Sequence, residues 1–254
     1  MKSLNKALDI LELFLSGEKE MALADIAVKS GLNKTTVSHI VKTLVKRGYM
    51  KQREKRGKYS LGTAFIEFSG AIKGSIKLRD VAIPHLVKLS RIAKESVILA
   101  VWDGKSAVTT ETVHPIRKEY TPLKVVPDEG SKSPLHCTSI GKVILADMTE
   151  KELKEFFTSS KNRERFTPNT ITNFNDMKSH LFLVKQEGIA FDDEEYSLGV
   201  RGVSAGLRDN GGNTVGAIAV LGPSVRLTRA QIRGLSGAVK NCALHISKEL
   251  GYKN

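Results

Sequence analysis

With two cysteines in 254 residues, Cys137 and Cys242, the chain has no basis for a disulfide framework and no metal-like doublet, so reduced thiols are the default. Long apolar runs are missing as well. The N-terminal MKSLNKALDILELFL alternates charged and apolar residues at helical spacing, which excludes a signal peptide or a membrane span and leads us to expect a cytoplasmic location with no membrane partner. Internal repeats and low-complexity tracts are absent. Acidic residues are few: 27 Asp and Glu stand against 40 Lys and Arg, a formal net charge of +13. That imbalance suggests a polyanionic partner but does not separate DNA from RNA or an acidic membrane. The length suits two domains.

The stretch 22–48, ALADIAVKSGLNKTTVSHIVKTLVKRG, reads as two short helices joined by a tight turn. The first runs from Leu23 to Ser30, with Leu23, Ile26 and Ala27 facing a core and Gly31 ending it. Asn33 then caps a second helix from Lys34, whose apolar positions Val37, Ile40, Val41 and Leu44 fall at i, i+3, i+4 and i+7. Lys34, Thr35, Thr36, Ser38, His39, Lys42 and Thr43 are left outward or flanking, short donors and acceptors suited to base edges and phosphates in a major groove. The following YMKQREKRGKYSLG reads as a hairpin, with Tyr49 and Met50 on one arm, Tyr59 and Leu61 on the other, and the turn near Arg56 to Lys58. Basic side chains often mark only an ordinary exposed face. Here, however, ten of them, among them Arg53, Arg56 and Lys58, face only Asp25 and Glu54 between Ala22 and Lys58. A single-sign field on a winged helix-turn-helix points to double-stranded DNA.

From Gly62 the pattern becomes an apolar stripe of Ala64, Phe65, Phe68, Ala71, Ile72 and Ile76, a candidate linker helix. Aromatic side chains without an evident cover in the basic domain are more economically buried against a second copy of the chain than left exposed. Residues 1–62 are therefore the expected DNA-binding domain, 63–77 the linker and dimerisation helix, and 78–254 a second, α+β domain. In that domain the spacing predicts a helix carrying Val81, Leu86, Leu89 and Ile92, then strands ESVILAVW and SAVTTETV, and helices near 138–148, 150–157 and 173–187. Strands near 200–207 and 214–221 follow, joined by the turn DNGGN, and one long helix from Thr228 to Leu250 ends at Gly251.

Six separated motifs resemble, in order, those of the IclR family of bacterial transcriptional regulators: SLNKALDILELF, LADIAVKSGLNKTTVSHIVKTLVKRGYM, KYSLG, SPLHCTSIGKVILADM, QEGIAFDDEEYSLGVRGVSAGLRD and AIAVLGPSVRLT. The resemblance covers essentially the whole chain. It implies a winged helix-turn-helix, a linker helix used in dimerisation and a GAF-like effector-binding domain that controls DNA binding. It also implies a homodimer or tetramer on a palindromic operator, answering to a small carboxylate; a repressor with no cofactor, no metal and no catalysis is our expectation.

In LHCTSIGKV, Cys137 or Thr138 starts a helix, so the backbone N–H groups of Ser139 and Ile140 would be donors for an effector carboxylate; alternatively, Thr138 or Ser139 simply caps the helix from within. The acidic run 192–195 would ordinarily be a solvated loop. The resemblance instead places Asp192 at a pocket wall with Gly202, Ala219 and Leu221, where members that bind small acids carry thiol or hydroxyl groups. Losing those partners favours an effector with one carboxylate and a larger or more apolar remainder, aromatic acids included.

Three other readings carry less weight. His136 beside Cys137 has the residue types of a nucleophile and base, but adjacent side chains at a helix start diverge and no orienting carboxylate follows. A zinc site from His136, Cys137 and one of His114, His180 or His245 matches no recognised spacing. A purely architectural DNA binder would not need so large a second domain.

Overall fold

Helical spacing at the N-terminus gives α1 (Lys2–Glu12), which continues through a 3-10 turn, Leu13–Ser16. The computed structural model describes residues 2–16, 18–54, 57–75, 77–115, 125–159 and 163–253, divided into two units, 1–76 and 77–254. Ile10 of α1 and Phe14 of the turn are covered, whereas Leu4 and Leu8 are 63% and 47% exposed.

The two helices of the reading head form as the spacing predicts, α2 (Leu23–Ser30) and α3 (Lys34–Lys46). Gly31, at φ 67°, closes α2, and the Asn33 side chain accepts from the Thr36 amide at 2.8 Å to start α3. Ile26, Val37, Val41 and Leu44 join Ile10, Phe14 and Met50 in one core. The hairpin pairs β1 (Met50–Gln52) with β2 (Tyr59–Leu61), Met50 opposite Leu61. Met21 bridges to Tyr59 through two main-chain hydrogen bonds of 3.0 and 2.8 Å, an extension the sequence did not announce.

Gly62 then turns the chain against Gly48. Its N–H donates to the Tyr49 carbonyl at 2.8 Å, and a Cβ there would lie 2.0 Å from the Gly48 oxygen, so only glycine fits. The linker helix α4 (Ala64–Ser75) follows. The sequence suggested no cover for its aromatics within the basic domain, but Tyr49 meets Phe65 edge-on at 5.6 Å and stacks on Phe68 at 5.9 Å. Phe68 remains 52% exposed and Ile66 71%. Ile76 and the side chains of Ala71 and Ile72 lie outside the described residues.

The second unit is built on a six-stranded antiparallel sheet in the order β5-β4-β3-β8-β7-β6. Its strands are β3 (Ser96–Trp102), β4 (Ala107–Val113), β5 (Lys132–Ser133), β6 (Ala190–Asp193), β7 (Val200–Arg208) and β8 (Thr214–Pro223). The short edge strands β5 and β6 fell below what periodicity can show. One face carries α5 (Lys77–Ala93) and the C-terminal helices, and the other carries α6 (Ser139–Leu145), α7 (Glu150–Thr158) and α8 (Phe174–Glu187), a GAF-like three-layer arrangement. On α5 the buried positions are Leu78, Ala82, Leu86, Leu89 and Ser90, while Ile92 is exposed, so the predicted stripe is rotated at its end. The predicted long C-terminal helix is two, α9 (Arg229–Gly234) and α10 (Ser236–Glu249), interrupted at Leu235 where the poor helix formers Gly234, Ser236 and Gly237 cluster.

Candidate DNA interface and effector pocket

Helix α3 presents Lys34, Thr35, His39, Lys42 and Thr43 to solvent, and Thr36 and Ser38 half-buried. The Thr36 amide is engaged by Asn33, and the Thr43 hydroxyl donates to the His39 carbonyl at 3.0 Å. On the wing, Arg53 and Lys58 are exposed, and Gln52, which the sequence reading passed over, donates to the Gly57 carbonyl at 3.1 Å and braces the turn. Lys55 and Arg56 lie outside the described residues. The basic field is less unopposed than the 22–58 window suggests: Glu18 approaches Lys29 at 2.6 Å and Glu20 approaches Arg53 at 3.7 Å.

In the second unit, strand alternation puts Ala190 and Asp192 of β6, Gly202 and Ser204 of β7, and Ala219 and Leu221 of β8 on the face that carries α6. The registers are Asp192 opposite Gly202, Gly202 opposite Leu221, and Ser204 opposite Ala219. A cavity of about 450 Å³ opens here, and Ser139, Ile140, Asp192 and Leu221 all border it. Gly202 and Ala219 share those rows without lining the cavity. A Cβ at position 202 would stand 2.5 Å from Leu221 Cδ2 and 3.1 Å from Ser139 Oγ; at 206 it would stand 2.9 Å from Val143 Cγ1. The small residues of β7 therefore bring α6 close to the sheet, and Leu221 leans over Gly202. Between them Ser204, missed from sequence, donates to the Ser139 hydroxyl at 2.8 Å, fully buried.

Thr138 caps α6 by accepting from the Gly141 amide at 3.1 Å. Its cap leaves the Ser139 and Ile140 amides without a hydrogen-bond partner among the described residues, both beside the cavity. Much of the remaining lining is apolar: Ile98, Val126, Pro127, Val200 and the ring of Tyr196. Tyr196 packs edge-on against Phe166 at 5.0 Å, and Phe166 against His136 at 5.9 Å, an aromatic wall that had no signal in the sequence.

The acidic run is no solvated loop. Asp193 and Glu194 are both held by Arg201 at 2.6 Å, whereas Asp192 and Glu195 turn inward, 4% and 6% exposed. Asp192 Oδ1 accepts from the Glu195 amide at 2.8 Å. Burial is the largest influence on its carboxyl, and outweighs that hydrogen bond and nearby Lys142 to bring the pKa to about 7. Glu195 pairs with Lys142, which is wholly buried, and the other Glu195 carboxylate oxygen has no partner. Burial pushes the Cys137 thiol far above its ordinary range, with Asp192 and Glu195 adding to the shift, and a thiol held protonated is a poor nucleophile. His136 turns Nε2 to the Glu164 carbonyl at 2.8 Å. Among the described residues no His, Cys, Asp or Glu cluster could hold a metal, and no helix is long and apolar enough to cross a membrane.

A family model for the IclR helix-turn-helix domain matches residues 3–54, and one for the C-terminal part of the bacterial transcriptional regulator IclR matches residues 71–248. The chain is 30% identical over 252 residues to the HTH-type transcriptional regulator XynR of Escherichia coli strain K12, covering 99% of this chain and 98% of that one. It matches the crystal structure of Thermotoga maritima IclR with a TM-score of 0.75 at 30% identity, covering 99% of this chain and all of the other. An IclR homologue from Microbacterium hydrocarbonoxydans, crystallised in complex with 4-hydroxybenzoate, shares the fold with a TM-score of 0.79 at 21% identity and 98% coverage of both chains.

Proposed function

Since the chain belongs to the IclR family and is a DNA-binding transcriptional regulator rather than an enzyme, we propose that it is a repressor whose hold on a palindromic operator is set by an organic acid in the 450 Å³ cavity. The observation that carries this reading is the cavity itself. It is large and mostly apolar, with a few convergent polar groups, the pattern of a small-molecule site. The Ser139 and Ile140 amides are the donors for the ligand carboxylate, and Asp192 is the acceptor or acid facing it. Leu221 over Gly202 removes the polar floor a two- or three-carbon keto acid would use and offers apolar contact to a longer ligand. The 4-hydroxybenzoate held by the Microbacterium hydrocarbonoxydans protein has that character.

Lys34, Thr35, Thr36, Ser38, His39, Lys42 and Thr43 read and flank the groove, with Arg53, Arg56 and Lys58 reaching phosphates from the wing. Two heads are joined across a homodimer through α4, where Ile66 and Phe68 remain exposed. A thermal-shift series on the full chain tests the ligand class, since a ligand bound only to the folded state raises the melting temperature by mass action. Aromatic acids should raise it more than glyoxylate or pyruvate at equal concentration; the reverse order would refute the assignment of Leu221 and Gly202.

A further inference from the structure

We propose that the cavity takes its acid ligand together with a proton, carried by Asp192; this rests on the reading of the cavity as a carboxylate site. The geometry crowds negative charge there. Asp192 borders the cavity from β6, and three residues on, the Glu195 carboxylate is buried beside it. From α6 the Lys142 ammonium faces both, yet its hydrogen bond goes to Glu195, whose second oxygen still lacks a partner. From the loop before α6 comes the protonated Cys137 thiol. His180 of α8 lies near Lys142 and is kept neutral by burial, its pKa about 4. Arg201 of β7 is turned to Asp193 and Glu194. Toward solvent, Lys132 and Asp128 at the rim are exposed and opposite in sign, and Tyr196 completes the lining on that side.

Two buried carboxylates thus share one buried ammonium, and an incoming acid adds a third negative group. Carboxylates crowded into one site do not all stay ionised. Asp192 is the one that touches the cavity, and burial already places its pKa near neutrality. The balance is plain: ligand carboxylate, ionised Asp192 and one proton from solvent give the ligand carboxylate beside a neutral Asp192, whose O–H donates to the ligand while Oδ1 still accepts from the Glu195 amide. At pH 6 the free protein already holds this proton; at pH 8 it must acquire it on binding.

Calorimetric titration of the full chain with sodium 4-hydroxybenzoate, benzoate and pyruvate, in two buffers of different ionisation enthalpy at pH 6 and pH 8, counts the protons. Uptake should approach one per ligand at pH 8 and be much smaller at pH 6, with Kd weakening toward about tenfold per pH unit above 7. Asp192→Asn keeps an oxygen to accept from the Glu195 amide and should lose both effects. Equal apparent enthalpies in the two buffers at pH 8 for the wild-type protein would overturn the proposal without disturbing the acid-site reading. Failure of all three acids to bind at either pH would remove the acid-site reading, and this proposal with it.

Discussion

Among single residues, Asp192 ties the stability of the second unit to pH. An unfolded aspartate ionises near its ordinary value of 3.8, whereas the folded one holds its proton to about 7. Its contribution is therefore fully present below 3.8 and lost as pH rises to about 7, by about 1.4 kcal/mol per pH unit. Melting curves of wild-type and Asp192→Asn proteins should converge toward each other's pH dependence above pH 8, the wild type losing ground between pH 4.5 and 7; parallel curves throughout would contradict the burial argument. The Lys142 and Glu195 pair makes a second prediction. Lys142→Met alone leaves a buried carboxylate unpaired and should cost about 3–5 kcal/mol, while adding Glu195→Leu should restore most of it. A double variant as unstable as the single one would mean that packing, not charge, is what was lost. The family resemblance placed Asp192 at the pocket, but DDEE itself gives no sign of which two acids point inward; that is decided by Arg201, which takes Asp193 and Glu194.

At the level of elements, period and caps told most. Helices α2 and α3 show their apolar spacing, Gly31 stop and Asn33 cap in the letters, and β3, β4, β7 and β8 are long enough to be seen, β4 by alternation and β3 as a continuous apolar run. The two-residue β5 and four-residue β6 are fixed by pairing to β4 and β7, which no local pattern records, and the wall formed by Tyr196 and Phe166 comes from distant segments. The turn at Gly62 could be seen as a hairpin end but not as a close approach. Gly62→Ala should lower the stability of the first unit by about 1–3 kcal/mol, read as an earlier melting transition, since the new Cβ must displace the Gly48 carbonyl; an unchanged transition would show the turn relaxes freely. Within the head, Lys58→Ala should weaken binding to operator and random duplex alike and flatten the salt dependence, whereas Thr35→Ala should reduce discrimination by roughly 1–3 kcal/mol. Mobility shifts over a salt series separate the two, and an equal loss of specificity in both variants would abolish the division.

For the molecule as a whole, the proposed function sets one requirement on the two units: the state of the cavity must bias the state of the head. Such coupling is a free energy between two sites, about 1–3 kcal/mol in typical cases, and it appears as a change of roughly 5- to 150-fold in DNA affinity. The proposed form in which it acts is a homodimer with two-fold symmetric heads; on that proposal light scattering should report at least a dimer at micromolar concentration and the protected DNA should be palindromic. The most direct measurement is fluorescence anisotropy of the full chain on an operator duplex selected from random sequence, with and without a saturating acid that raises the melting temperature of the second unit. The account predicts that operator Kd weakens at least fivefold when the acid is bound; an acid that fills the cavity and leaves operator Kd unchanged would contradict it.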